Sequence, residues 1–332
     1  MTDTLKRTLG HAQVRTWLTH VIALQRVSGS YLFLGPEGAG KRQVALEFAA
    51  ALRCLKPRAH WSCGECIECV RVAHGVHPNV RQFAKPEDSR DLPVELVRTI
   101  CDEASLKRLE PGYRIFIVDD ADRFNDSSAN AFLKTLEEPP ADLVFVLLAA
   151  NSAQLLPTIN SRCQSVRFSP LSLADMAVAC AGFEDMPAAR DERDLLLRVA
   201  QGSPGRVQAM LAFNALGLAE SFLATLLLEP FKASEQLASA LAKGLPADAG
   251  TEGLRVRLRD VLAVISATLR DRMLSSMDLP ELAPLARGLE AEAASADKLV
   301  AAINRLENLR ERIDGNANIK LACDVLAMSY PA

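Results

Sequence analysis

The segment Gly-Pro-Glu-Gly-Ala-Gly-Lys at residues 35–41 has the spacing of a phosphate-binding loop, G-x-x-x-x-G-K. In such a loop the glycines allow backbone N–H groups to point at phosphate oxygens, and the lysine adds positive charge. A short apolar run, residues 31–34, precedes the loop, and a helical pattern follows it. This context of strand, loop and helix favours phosphate binding at a helix N-terminus. The predicted site consists of Gly35, Gly38, Gly40 and Lys41.

Arg42 departs from this pattern, because a serine or threonine at that position normally holds Mg²⁺. A guanidinium has five donors and no acceptor, so it cannot ligate a cation. Asp119 and Asp120 follow the apolar run at residues 114–118, where acidic side chains would orient Mg²⁺ and water. We therefore assign Arg42, Asp119 and Asp120 to a degenerate nucleotide site that binds ATP and Mg²⁺ weakly or not at all.

Two other interpretations of the loop stay open at this point. In the first, the loop is an ordinary glycine-rich turn without a ligand, and both acids cap the turn that follows them. In the second, the loop belongs to a working ATPase. Arg42 disfavours the second interpretation, because hydrolysis of this kind depends on a bound metal ion.

Four cysteines lie close together in the sequence, with the spacing C-x8-C-x2-C-x2-C. Four thiolates around Zn²⁺ form a closed tetrahedral site with no open position for catalysis, so the ion would be structural. A redox pair and buried free thiols are the competing interpretations. The predicted zinc ligands are Cys54, Cys63, Cys66 and Cys69.

Short apolar segments alternate with helical patterns through the first half of the chain, which predicts a parallel sheet covered on both faces. Ligands of such sheets bind beyond the carboxyl ends of the strands, where the loop at Gly35 and the loop at Asp119 lie. Beyond Pro170 the patterns are helical. The predicted strands are 31–34, 79–84, 114–118, 143–149 and 165–168, and the predicted helices of this half are 41–52, 93–107 and 127–137.

The composition limits the class of protein. The chain has 332 residues, of which 49% are hydrophobic and 24% charged, with a net charge of −3. These values exclude collagen-like and disordered chains and disfavour a protein whose whole surface binds nucleic acid. No apolar segment of about 18 residues and no apolar leader are present, so we expect a cytoplasmic protein. The basic residues at 255–272 are interspersed with acids and are interpreted as a solvated face or a ring-packing surface and not as a DNA site.

Further motifs resemble the bacterial clamp-loader ATPase family, the AAA+ subunits of the DNA polymerase III holoenzyme. The run at residues 130–140, NAFLKTLEEPP, and the triplet Ser161-Arg162-Cys163 are similar to specific motifs of that family. Residues 202–206 resemble its sensor-2 region, and residues 315–322 resemble the last helix of its collar domain. The resemblance covers nearly the whole chain, with the motifs in the order of the family.

The resemblance implies roles for two arginines. Arg162 would project into the nucleotide site of a neighbouring subunit, where a guanidinium stabilises the charge that develops during phosphoryl transfer. Arg206 would belong to the chain's own degenerate nucleotide site. The alternative for Arg162 is a surface arginine that closes a loop before a strand.

Within the family, three departures favour the delta-prime type of subunit over the motor type, gamma/tau. The phosphate loop ends in Lys41-Arg42, the acidic motif is Asp-Asp-Ala-Asp at residues 119–122, and the sequence given stops just after the collar-like helix. The implied protein has no ATPase activity of its own. It would be a structural ring member of a DNA-directed DNA polymerase holoenzyme, a nucleotidyltransferase, in which ATP drives loading of the sliding clamp on primed DNA.

The implied partners are gamma/tau and delta subunits in a pentameric ring, with the clamp and the primer–template DNA reached through the assembly. A gamma/tau-type motor subunit and a stand-alone P-loop NTPase or kinase remain as alternatives. We predict three domains: an AAA+ P-loop domain at 1–170 with a zinc module at 54–69, a small helical lid at 171–212 and a helical collar at 213–332.

Overall fold

A computed structural model gives the three-dimensional structure of the chain. It describes residues 9–86, 89, 91–106, 110–150, 155–226, 229–245, 250–276, 296–314 and 318–329. The chain divides into two compact units, Met1–Val178 and Ala179–Ala332. Residues 315–317 of the predicted collar motif lie outside the described residues.

The first unit contains a sheet of five described strands, all parallel, in the order β2-β3-β4-β1-β5. Every residue of β3 and β4 is buried, as expected for strands covered on both faces. The predicted parallel sheet is confirmed, and each strand lies within one residue of its predicted bounds. The strands are β1 (Ser30–Leu34), β2 (Val80–Phe83), β3 (Arg114–Val118), β4 (Leu143–Ala149) and β5 (Gln164–Arg167).

Helices cover both faces of this sheet. Side chains alternate along each strand, so Leu32 joins one apolar cluster while Tyr31 and Phe33 join the other. The first cluster includes Phe132 of α5, and the second includes Phe48 of α2. The helices are α1 (Ala12–Ala23), α2 (Lys41–Arg53), α3 (Ile67–Ala73), α4 (Val94–Ser105), α5 (Asp126–Glu137) and α6 (Pro157–Asn160).

Local signals in the sequence set both ends of α5. Asn125 and Ser128 form a capping box, in which the Asn125 side chain accepts the Ser128 N–H and the Ser128 hydroxyl accepts the Asn125 N–H. Pro139 and Pro140 follow the helix, which ends at Glu137 because proline disfavours helical geometry in the residue before it. The end of this helix positions Glu137 for the site described below.

All regular elements in the described residues of the second unit are helices. One apolar cluster runs from Leu195 to Ala327, with Leu258, Val261 and Leu262 of α12 fully buried in it. Leu196 and Met210 share this cluster with α12, so residues on both sides of the predicted boundary at 212 contribute to one core. The helices are α7 (Leu173–Cys180, at the division between the units), α8 (Arg190–Val199), α9 (Pro204–Ala212), α10 (Ala215–Leu226), α11 (Pro230–Ala242), α12 (Gly250–Ser276), α13 (Ala296–Asp314) and α14 (Ile319–Ser329).

Two partly buried ion pairs connect helices within the second unit. Arg198 of α8 pairs with Asp271 of α12 at 2.8 Å, and Arg206 of α9 pairs with Asp260 of α12 at 2.7 Å. Both carboxylates are almost fully buried. The division of this unit into a lid and a collar remains a prediction.

Within the described residues, no single helix has the length and apolar character needed to cross a membrane. One bent pair, Pro204–Ala212 and Ala215–Leu226, passes the same test on length and composition alone. Both helices contribute side chains to the core of the second unit.

We expect Leu147→Ala to lower the free energy of unfolding of the first unit by about 2–5 kcal/mol, because it leaves a cavity in the centre of β4. Leu24→Ala is the matched control in the same unit, since Leu24 is 65% exposed. Its cost should stay within about 0.5 kcal/mol. Urea unfolding of both variants measures the difference, and equal losses would contradict the packing described here.

Candidate functional site

The predicted phosphate loop leaves the carboxyl end of β1 and enters α2. Gly38 and Gly40 have φ angles of 69° and 97°, in the left-handed region where glycine is favoured. A Cβ atom on Gly35 would meet the Phe168 carbonyl oxygen at 2.3 Å, so this position also requires glycine. The three glycines are therefore required by the backbone conformation of the loop and by its close approach to Phe168.

Lys41 is the first residue of α2 and is 8% exposed. Its ammonium group donates to the carbonyl oxygens of Gly35 at 2.5 Å and Pro36 at 2.8 Å. Burial lowers the pKa of Lys41, and nearby acids led by Asp119 partly offset this effect. The Lys41 ammonium group supplies the positive charge that a phosphate needs. Carbonyl oxygens of the loop accept two of its three N–H donors.

Arg42 reaches the acidic motif at the end of β3. Its Nε donates to Oδ2 of Asp119 at 3.0 Å, and its Nη2 donates to the same oxygen. The side chain that replaces the metal-holding hydroxyl thus pairs with the carboxylate that would orient the metal. A guanidinium paired with this carboxylate also repels a second cation there. These residues do not fit Mg²⁺.

Asp120 has a φ of 55° and begins the short turn Ala121–Arg123. Its N–H donates to Oδ1 of Asp119 at 3.0 Å, and its carbonyl accepts the Arg123 N–H at 2.8 Å. Burial, followed by the charge of Asp119, raises the pKa of Asp120. The Asp119 carboxylate therefore supports the start of the turn and also holds Arg42, whereas the Asp120 side chain forms no capping hydrogen bond.

The four predicted zinc ligands come together between the end of α2 and α3. Their sulfur atoms all lie within 4.8 Å of one another, with Cys66–Cys69 at 3.5 Å and both Cys54–Cys66 and Cys63–Cys69 at 4.0 Å. Zinc–sulfur bonds of about 2.3 Å in a tetrahedron place sulfurs about 3.8 Å apart. The cluster therefore fits a tetrahedral Zn²⁺ ion, and the ion itself remains a prediction.

Backbone N–H groups point at the sulfur atoms of this cluster. Cys54 accepts the N–H of Cys63 at 3.3 Å, and Cys63 accepts those of Glu65 at 3.5 Å and Cys66 at 3.3 Å. The hydrogen bond from Glu65 is the largest influence on the pKa of Cys63, which falls to about 6. These N–H groups stabilise the Cys63 thiolate, whereas burial raises the pKa of Cys54 and Cys69.

A buried polar network beside this cluster was not predicted from the sequence. The Glu68 carboxylate contacts Nε2 of His77 at 2.9 Å and Nη2 of Arg53 at 2.8 Å. His77 accepts the Asn79 N–H through Nδ1 at 2.9 Å, which connects α3 to the start of β2. Glu110 completes a ligand-like trio with Glu68 and His77, but the guanidinium of Arg53 already supplies the cation there. The spacing of these residues in the sequence gives no indication of the network.

Arg162 lies directly after α6. Its Nε donates to Oε1 of Glu137 at 2.8 Å, its Nη2 donates to the same oxygen, and its Nη1 donates to the Thr158 carbonyl at 2.9 Å. The Arg162 side chain is 31% exposed. The sequence indicated Arg162 but gave no indication that Glu137 is its partner.

Strand direction separates Arg162 from the phosphate loop of the same chain. In the parallel pair of β1 and β5, Tyr31 is opposite Gln164 and Leu34 is opposite Arg167. The loop leaves the carboxyl end of β1, whereas Arg162 precedes the amino end of β5. A strand of four residues separates its ends by about 10 Å. Arg162 and the loop therefore lie at opposite edges of the sheet.

Arg206 and the C-terminal basic residues lie in the second unit. Arg206 is tied there to Asp260. Arg255 and Arg259 both pair with Glu252, and Arg257 donates to the Leu241 carbonyl at 2.9 Å. These three arginines are partly buried and have partners within the second unit, and the interpretation of 255–272 as a solvated or ring-packing face remains a prediction.

We expect the double variant Cys63→Ser/Cys66→Ser to lose zinc, because two of four thiolates are removed. Metal analysis of the wild-type chain should give about one zinc ion, and the variant should give none and show a less stable first unit. Cys101→Ser is the matched control, since Cys101 lies outside the cluster and should keep the ion. A metal-free wild-type chain of unchanged stability would contradict the zinc assignment.

We expect Arg42→Thr to create Mg²⁺-dependent nucleotide binding, because it supplies a hydroxyl and releases Asp119. Isothermal titration with ATP should show no effect of Mg²⁺ on the wild-type chain and a tightening of about tenfold in the variant. Adding Asp119→Asn should remove the gain. An equal Mg²⁺ effect in the wild-type chain would be evidence that the Arg42–Asp119 pair does not block Mg²⁺ binding.

Comparison with known proteins shows which proteins the chain resembles in sequence. Residues 10–172 match a family model described as DNA polymerase III, delta subunit. A DNA polymerase III subunit delta' of Pseudomonas aeruginosa is 35% identical over 182 residues, which cover 54% of this chain and 55% of that protein. A gamma/tau subunit of Mycobacterium tuberculosis is 30% identical over 216 residues, which cover 64% of this chain and 37% of that protein.

A DNA polymerase III gamma subunit-related protein of Thermotoga maritima has a TM-score of 0.46 at 22% identity, over 94% of this chain and 98% of that chain. This chain spans about half the length of the delta' relatives that it matches. Residues 10–172 are thus similar to the DNA polymerase III delta-subunit family, and delta' and gamma/tau subunits are among the proteins that this part of the chain resembles.

Proposed function

We propose that this chain is a delta-prime-type subunit of a clamp loader, and that it supplies Arg162 in trans to the nucleotide site of a neighbouring subunit. The position of Arg162 carries this proposal. Its guanidinium lies at the surface, at the edge of the sheet opposite the chain's own phosphate loop. An arginine in that place cannot serve its own loop, but its surface position allows it to meet the loop of another subunit.

The chemistry of such a contact is well defined. A guanidinium placed on a terminal phosphate neutralises charge that develops during transfer, and its planar fork matches two phosphate oxygens. Such a contribution is worth about 10³–10⁵ in rate. A subunit with a poor site of its own therefore increases the activity of its neighbour.

The state of the chain's own site supports a structural role. Arg42 and Asp119 neutralise each other where Mg²⁺ would bind, so the loop lacks the metal chemistry of a motor. This pair disfavours the gamma/tau-type motor, which needs a hydroxyl after Lys41. A stand-alone NTPase or kinase is disfavoured because Arg162 lies at the opposite edge of the sheet from the chain's own phosphate loop.

The remaining parts of the proposal concern assembly. The partners would be gamma/tau and delta subunits in a pentameric ring that loads the sliding clamp on primer–template DNA. The helical second unit would contribute the lid and the collar, and the cysteine cluster would hold a structural zinc ion. The match to delta' and gamma/tau subunits supports this set of partners.

We expect Arg162→Ala to leave assembly intact and to lower the rate at the site that Arg162 completes by about 10³–10⁵. Clamp-dependent ATP hydrolysis and clamp loading by the reconstituted complex measure this effect. Arg98→Ala, which removes an exposed arginine of α4 in the same unit, is the matched control and should change neither rate. Unchanged rates in the Arg162 variant would rule out the role in trans.

A further inference from the structure

The hydrogen bonds of Arg162 leave little of its guanidinium available for another ligand. Nε and Nη2 both donate to Oε1 of Glu137, and Nη1 donates to the Thr158 carbonyl at 2.9 Å and to Oγ of Ser161 at 3.3 Å. An arginine has five N–H donors, so these contacts engage four of them. The Nε–Nη2 edge, which matches two oxygens of an anion, is held by Glu137.

The two kinds of contact differ in what they do to the side chain. The Thr158 and Ser161 contacts come from the adjacent turn and orient the guanidinium from one side. The Glu137 contact comes from the end of α5 and carries a charge equal and opposite to that of Arg162. A phosphate can therefore replace Glu137 on the Nε–Nη2 edge while the local contacts keep Arg162 oriented.

The exposure of the pair makes such an exchange energetically accessible. The side chains of Glu137 and Arg162 are 49% and 31% exposed. Ion pairs at this exposure change an equilibrium constant by no more than about fivefold. A terminal phosphate presents more negative charge and more acceptor oxygens than one carboxylate, so it is the stronger partner for a guanidinium.

We propose that Glu137 is the resting partner of Arg162 and competes with the terminal phosphate of a nucleotide bound to the neighbouring subunit. This inference rests on the proposed function in trans. Glu137 lowers the affinity of the joint site for nucleoside triphosphate, and it neutralises Arg162 until that phosphate arrives. It is a residue that acts through Arg162 and does not itself touch the nucleotide.

Glu137→Gln tests the competition, because glutamine keeps the shape and an acceptor oxygen but removes the charge. In the complex reconstituted with a gamma/tau-type subunit, we expect the KM for ATP of clamp-dependent hydrolysis to fall by about two- to fivefold. We expect kcat to stay unchanged, because freeing Arg162 stabilises the bound nucleotide and the transition state equally.

Two further variants make the result specific. Glu138→Gln removes the adjacent negative charge, and Glu138 makes no side-chain contact with Arg162 among the bonds described here, so its KM should equal that of the wild type. Combining Glu137→Gln with Arg162→Ala should reproduce the kinetics of Arg162→Ala alone, because Glu137 acts only through Arg162.

The outcomes separate this inference from the proposed function. If Arg162→Ala slows the complex while Glu137→Gln leaves KM unchanged, the competition is wrong and the role in trans stands. A lower kcat in Glu137→Gln would make Glu137 a positioning residue and overturn the competition. An equal KM shift in Glu138→Gln would show that the shift comes from the loss of any nearby negative charge, and it would overturn the competition. If Arg162→Ala has no effect, both proposals fail.

Discussion

The direction of the strands is the constraint on which the account depends. All five described strands are parallel, so the phosphate loop and Asp119 emerge at one edge of the sheet. Arg162 precedes β5 and Glu137 ends α5, so this pair lies at the other edge. Sheet topology alone thus separates the phosphate loop, which contains Lys41 and Arg42, from Arg162 at the opposite edge of the sheet.

Each basic side chain of the predicted functional motifs has a polar partner within the chain. Lys41 contacts loop carbonyls, Arg42 contacts Asp119, Arg162 contacts Glu137 and Arg206 contacts Asp260. These partners are not equivalent. The carboxylate of Asp260 is almost fully buried and belongs to the packing of the second unit, whereas Glu137 is half exposed. Burial therefore distinguishes the Arg206–Asp260 pair, which belongs to the packed interior, from the exposed pairs of Arg42 and Arg162.

Local patterns were sufficient to predict much of the first unit. Continuous apolar runs predicted the buried strands, and the double proline at 139–140 predicted where α5 ends. The close spacing of Cys54, Cys63, Cys66 and Cys69 predicted their meeting, because a short segment brings its own thiols together. These features depend on neighbours in sequence.

The features that could not be predicted are contacts between distant residues. Arg42 and Asp119 are 77 positions apart, and Arg162 and Glu137 are 25 apart. No periodicity or spacing encodes which acid meets which arginine, since that depends on strand order. The network of Arg53, Glu68 and His77 was missed for the same reason.

The most direct test of the central claim is a structure of the assembled complex with a non-hydrolysable ATP analogue bound to the neighbouring subunit. The account predicts that the guanidinium of Arg162 has left Glu137 and lies within hydrogen-bond distance of the terminal phosphate. An Arg162 side chain still paired with Glu137, while that phosphate is bound and its contacts come from other residues, would contradict it.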